Sequence, residues 1–143
     1  NQLQTRDPFF FQGPETAIVF ILDSEANFFN GNKGELLKKI LLAMNLSSDS
    51  VFICTAGDFI KVHEKIKTIC PKVIITLGTK ASQLLLKVKT PLVQLRGKFH
   101  EYNGIKVMPT FHPALLLEQP DCKRQVWEDM KQVMKYAGLT DGS

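Results

Sequence analysis

Lys72-Val73-Ile74-Ile75-Thr76-Leu77-Gly78-Thr79-Lys80-Ala81 starts as an apolar, β-branched run and passes without a linker into a helical pattern. A continuous apolar run, unlike an alternating one, marks a strand covered on both faces. Gly78-Thr79 permits the tight turn from strand to helix, and the unpaired N–H groups of a helix start attract phosphate. For Gly78 the turn alone is a sufficient reason. Lys80 adds positive charge at the start of the helix expected over residues 80–87.

The same grammar recurs on either side. Residues 17–22 (Ala-Ile-Val-Phe-Ile-Leu) read as a buried strand and residues 50–54 as a shorter one. Between them, Leu36, Leu37, Ile40, Leu41 and Met44 recur at helical spacing within residues 33–45. Asp58 is placed to cap a helix through Ile69, with Ile60, Ile66 and Ile69 inward, and Pro71 stops it. Residues 94–102 and 105–110 flank Asn103-Gly104, a hairpin signal. Residues 118–121 open a last helix to Tyr136, with Val126, Trp127, Met130, Val133 and Met134 on its inner side. Strands alternating with helices predict an α/β fold with a mostly parallel sheet and helices on both faces. Ligands of such sheets bind beyond the carboxyl ends of the strands. That rule gathers residues 23–34, 55–58, 78–79 and 110–117 on one rim.

The chain has 143 residues, which suits one domain able to fold without disulfides or a structural metal. We divide it into an arm at 1–15, a domain at 16–138 and a tail at 139–143. The arm carries Phe9-Phe10-Phe11, which either packs on the domain or docks a partner. Eighteen Lys and Arg against 14 Asp and Glu leave a net charge of +4, compatible with a polyanionic partner. No apolar run reaches the roughly 18 residues of a membrane span, and no signal-peptide pattern appears, so a cytoplasmic protein is expected. Cys54, Cys70 and Cys122 are far apart and no CxxC occurs, so free thiols and no metal or other cofactor are expected.

Leu77-Gly78-Thr79-Lys80-Ala81, Leu95-Arg96-Gly97-Lys98 and Pro109-Thr110-Phe111-His112-Pro113-Ala114-Leu115-Leu116 follow one another in a fixed order. Pro120 and Val126-Trp127-Glu128-Asp129 complete the series. In order and spacing this half of the chain, about 71–138, resembles the iron–sulfur (type 4) uracil-DNA glycosylases. Upstream, Phe28-Phe29-Asn30-Gly31-Asn32-Lys33-Gly34-Glu35-Leu36-Leu37 resembles that family's Pro-Phe-x-Gly-x-x-Gly-x-Leu-Leu segment.

The resemblance implies a three-layer α/β/α sandwich around a four-stranded parallel sheet in the order 2-1-3-4. It implies that Phe29 stacks on a flipped base, the alternative being core packing beside Phe28. It implies that the His112 imidazole stabilises charge developing on the base, the alternative being a satisfied loop residue. Pro113, Ala114 and Leu115 then enter the DNA minor groove, or form a hydrophobic loop-to-helix junction in which Leu115 is the most exposed leucine. Arg96 and Lys98 lie near the DNA backbone, or are ordinary solvated charges.

The family pattern also breaks. Where Gly-Glu-Ala-Pro-Gly should follow the first strand, this chain has Leu22-Asp23-Ser24-Glu25-Ala26-Asn27. Asp23, at the strand end, is the candidate for orienting water, unless it only caps the loop. The family's base-reading Asn is replaced by Thr55, whose hydroxyl cannot match an amide's simultaneous donor and acceptor. The four cluster cysteines are missing, and Glu118 stands where the family usually has Arg. Three functions remain open at this level. They are a degenerate glycosylase relative binding DNA weakly and largely non-specifically, an active glycosylase relying on His112, and a replication or repair accessory module that docks a protein partner.

Overall fold

The computed structural model describes residues 8–140; residues 1–7 of the arm and 141–143 of the tail lie outside the described residues. The apolar runs become strands β2 (Val19–Asp23), β3 (Phe52–Thr55) and β4 (Val73–Leu77), and the segment after the Asn103-Gly104 hairpin becomes β6 (Ile105–Thr110). Two short antiparallel edge strands flank them, β1 (Phe11–Gln12) and β5 (His100–Tyr102). The sheet order is β1-β3-β2-β4-β6-β5, so the four parallel strands stand in the expected order 2-1-3-4.

Strand periodicity divides the core in two. Val19, Ile21, Ile53, Val73, Ile75 and Met108 face one side, where they meet α1 (Gly31–Ala43), α4 (Leu92–Leu95), α5 (Pro113–Glu118) and α6 (Lys123–Ala137). Phe20, Leu22, Phe52, Cys54, Ile74 and Val107 face the other, against α2 (Phe59–Ile69) and α3 (Gly78–Leu86). Alternate side chains of one strand point to opposite faces, so a run apolar at every position requires a helical layer on each. The result is a three-layer α/β/α sandwich.

Asp58 does cap α2, its side chain accepting from the Lys61 N–H at 3.2 Å, and Cys70 ends the helix in the left-handed conformation before Pro71. Several local expectations need correction. Residues 94 and 95 belong to the short helix α4, which Pro91 initiates; Gly97, at φ +88°, breaks the chain away before β5 begins at His100. Ile60 points outward and is 54% exposed; Val62 takes the inner place, because Val62, Ile66 and Ile69 share one helical face. Trp127 is half-exposed rather than inward. Glu118 closes α5 instead of opening the last helix, with a 3-10 turn at Pro120–Cys122 between α5 and α6.

Burial separates the three free thiols. Cys54 has no exposed surface, and desolvation pushes its thiol well above the usual range. Cys70 is exposed and Cys122 half-buried. A disulfide reagent at pH 8 is expected to modify Cys70 fastest, Cys122 more slowly and Cys54 only on unfolding. Peptide mass mapping over time checks this; a Cys54 that reacts at the rate of Cys70 contradicts the packing.

Candidate functional site

The carboxyl ends of β2, β3, β4 and β6 bring Asp23, Thr55, Gly78 and Thr110 to one end of the sheet, with His112 two residues past β6. Gly78 is held at φ +88°, and a Cβ there would lie 3.3 Å from the His112 Cβ. The strand-to-helix turn therefore favours glycine for its backbone, and a side chain there would also crowd the histidine.

His112 and Asp23, 89 residues apart, meet here. His112 Nε2 lies 3.0 Å from Asp23 Oδ1, and His112 Nδ1 accepts the Ala114 N–H at 3.0 Å. An Nδ1 that accepts leaves the ring proton on Nε2, so the contact assigns a neutral imidazole donating to the carboxylate. The second contact also makes His112 the N-cap of α5. Asp23 is 1% exposed, and the same Oδ1 accepts the Glu25 N–H at 3.1 Å. These two donors offset much of the cost of burying the carboxylate. Both ring nitrogens of His112 are thus engaged within the protein.

Thr55 is buried, and its hydroxyl accepts the Phe10 N–H at 3.0 Å. The Thr55 N–H in turn donates to the Phe10 carbonyl at 2.9 Å. The side chain is thus satisfied by the arm. Phe29 is half-buried against the apolar core and also borders an open groove beside the arm. A Cβ at Gly34 would fall 2.1 Å from the Phe29 carbonyl carbon, so glycine lets the Phe29 backbone cross α1. In the His-Pro segment Pro113 and Leu116 are buried, Ala114 and Leu115 half-buried, and Leu117 is 47% exposed. Leu117, not Leu115, is therefore the most exposed of the three leucines, because α5 begins at Pro113 and its turn carries residue 117 outward. Lys80 and Lys98 are exposed.

Arg96 turns inward. Its Nε donates to Asp129 Oδ2 at 3.0 Å and Nη2 to Asp129 Oδ1 at 2.6 Å, while Thr110 Oγ1 donates to Oδ2 at 2.7 Å. The hydrogen-bonded carboxylate raises the Arg96 pKa further above its ordinary value. Asp129 has no exposed surface, and its network ties α4, α6 and the end of β6, two residues before His112. Sequence reasoning gave Asp129 and Thr110 no role. The available signal was a carboxylate inside the apolar inner stripe Val126, Met130, Val133 of α6.

Among the described residues no group of three or more His, Cys, Asp and Glu could hold a metal. An iron–sulfur cluster takes roughly four thiolates. The three cysteines here lie in β3, at the end of α2 and in the turn before α6, so they do not fit one.

Fold and rim together define a class: three-layer α/β proteins in which a histidine and a carboxylate meet at the carboxyl ends of parallel strands. Comparison with known families narrows it. The model of the "Uracil DNA glycosylase superfamily" matches residues 22–131, and the chain belongs to that superfamily. Relatives named type-4 uracil-DNA glycosylase include one from Saccharolobus solfataricus, 30% identical over 137 residues and covering 78% of this chain. Another, from Thermotoga maritima, is 27% identical over 159 residues and covers 95% of this chain. The chain spans 63% of the length of the Saccharolobus protein and 80% of the Thermotoga one.

Proposed function

We propose that the chain is a degenerate member of its superfamily, a cytoplasmic protein that binds DNA weakly and largely through phosphates, with little or no base excision. The observation that carries this reading is the double engagement of His112. With Nε2–H on Asp23 and Nδ1 on Ala114 N–H, neither nitrogen is free to face a base. Thr55 supports it, since its hydroxyl is taken up by the arm backbone. On this reading the exposed Lys80 and Lys98 make the phosphate contacts and the α5 leucines rest against the groove. Arg96 positions α4 through Asp129 and leaves those contacts to the lysines.

One observation favours the active alternative. A neutral imidazole with its proton on Nε2 is the form that could donate to the anion of a leaving uracil. If His112 swung from Asp23 to the base, the freed carboxylate could orient water. The third reading, an accessory module with a replication or repair protein partner, gains if the chain ignores DNA.

A fluorescence anisotropy titration against DNA from 25 to 200 mM salt tests the proposal. Affinity should fall steeply with salt and vary little with sequence. Lys80→Ala and Lys98→Ala should each reduce the log–log slope by about one unit. Absence of binding at the lowest salt, or a slope unchanged in both variants, contradicts it.

A further inference from the structure

The groove beside Phe29 has a second wall that comes from the arm. Phe9 and Phe11 point to the α2 side, where their ring centroids lie 5.4 Å apart and Lys65 sits 4.5 Å over Phe11. Phe10 and Gln12 lie beside the β2–α1 loop, and Phe11 reaches the edge of the same groove. There Phe10, Gln12, Asn27, Phe29 and Asn30 border a groove of about 480 Å3, within the size range of ligand clefts. Phe10 is 50% exposed, and among the described residues neither its ring nor that of Phe29 has a ring partner. The backbone behind Phe10 is fixed, because it exchanges hydrogen bonds with Thr55. The groove lining carries no acidic side chain, and Lys33 Nζ stands at its edge, 3.1 Å from the Asn27 carbonyl.

A preset, half-exposed ring, amides with both donors and acceptors, and a flanking cation suit a flat heteroaromatic ring on a polyanionic chain. We infer that this groove takes an unpaired nucleobase of single-stranded DNA, with Phe10 as the stacking face and Gln12 and Asn30 at its edge. This rests on the DNA-binding reading above and adds to it both the strand form and the residues. A base stacked inside a duplex must first be extruded, at a cost in unstacking and unpairing, before it has a face to offer Phe10, whereas a base of a single strand does not bear that cost. Phe10 and Gln12 precede residue 22, where the family match begins, and neither His112 nor Asp23 lines the groove. The groove thus holds a base apart from the His112–Asp23 pair.

The test is anisotropy with a labelled 15-nucleotide dT strand and with a duplex of the same length, at equal salt. The single strand should bind more tightly. Phe10→Ala should weaken it about 5- to 140-fold, equivalent to 1–3 kcal/mol for one stacked base at 1.4 kcal/mol per tenfold. Phe10→Trp should retain affinity, which separates loss of the ring from loss of the arm's packing. Equal single-strand affinity for Phe10→Ala and the parent overturns the inference while leaving the DNA-binding reading intact. So does a duplex bound more tightly than the strand, or polyglutamate competing as well as unlabelled dT. Failure to bind either DNA overturns both.

Discussion

Uracil release from deoxyuridine-containing DNA is expected to be undetectable, or very slow, against an enzyme-free control. The reaction needs a base held by its edge, a donor aimed at the developing anion and a placed water. On the proposed reading Thr55 stands in the place of the edge reader, buried and bonded to the arm, and His112 in that of the donor, its Nε2 held 3.0 Å from the Asp23 carboxylate. Loss of one preorganised donor costs about 100- to 1000-fold in rate. Two altered functions bring the rate toward background, though less than additively because such groups act as a unit. The assay is alkaline cleavage of a labelled uracil oligonucleotide, single-stranded and duplex. Brisk release that His112→Ala abolishes would reverse the conclusion, provided that variant keeps its unfolding midpoint. The folding control matters, because His112 also caps α5. Asp23→Asn would then be the next variant to assay.

Asp129→Ala should be the most damaging single change to the fold. It removes the acceptor for two Arg96 bonds and one Thr110 bond at a position with no exposed surface. Breaking a buried pair from one side typically costs about 3–5 kcal/mol, because the remaining charge is left uncompensated. Total stabilities run to only about 5–15 kcal/mol, so a large part of the folding free energy is at stake. Urea unfolding should show the midpoint fall with little change in slope. Arg96→Met combined with Asp129→Ala should recover part of the loss, since no lone guanidinium remains. A loss below about 1 kcal/mol would place the pair with ordinary solvated ion pairs.

β2, β3 and β4 were legible because their apolar residues run on without alternation, a pattern that suits a doubly covered strand, and β6 because Asn103-Gly104 marked a hairpin before it. Residues 19–22 and 73–75 divide alternately between the two cores. The edges were less legible. β1 contributes only Phe11 and Gln12, too short for any period, and it forms because the β3 edge offers unpaired backbone groups. Residues 94 and 95 read as strand because an apolar residue beside Gln suits either state; Pro91 decided for a helical turn. At the rim, Asp23 and His112 were each visible as a polar residue at a strand end. Their mutual contact was not, because it joins positions 89 apart. Nor could the sequence show Arg96 turning inward, since that depends on Asp129 arriving from another helix.

The two ends of the sheet carry a further consequence. β1 is two residues long and β5 three, and both lie antiparallel to the strands they cover. A foreign strand seeking backbone partners therefore meets only a stub on either side, and the long parallel ladders stay closed between them. Short edges of this kind are a defence against edge-to-edge growth into aggregates. The same few residues of the arm that wall the groove thus also serve as a stopper, and shortening the arm would uncover β3 to strand exchange between neighbouring chains.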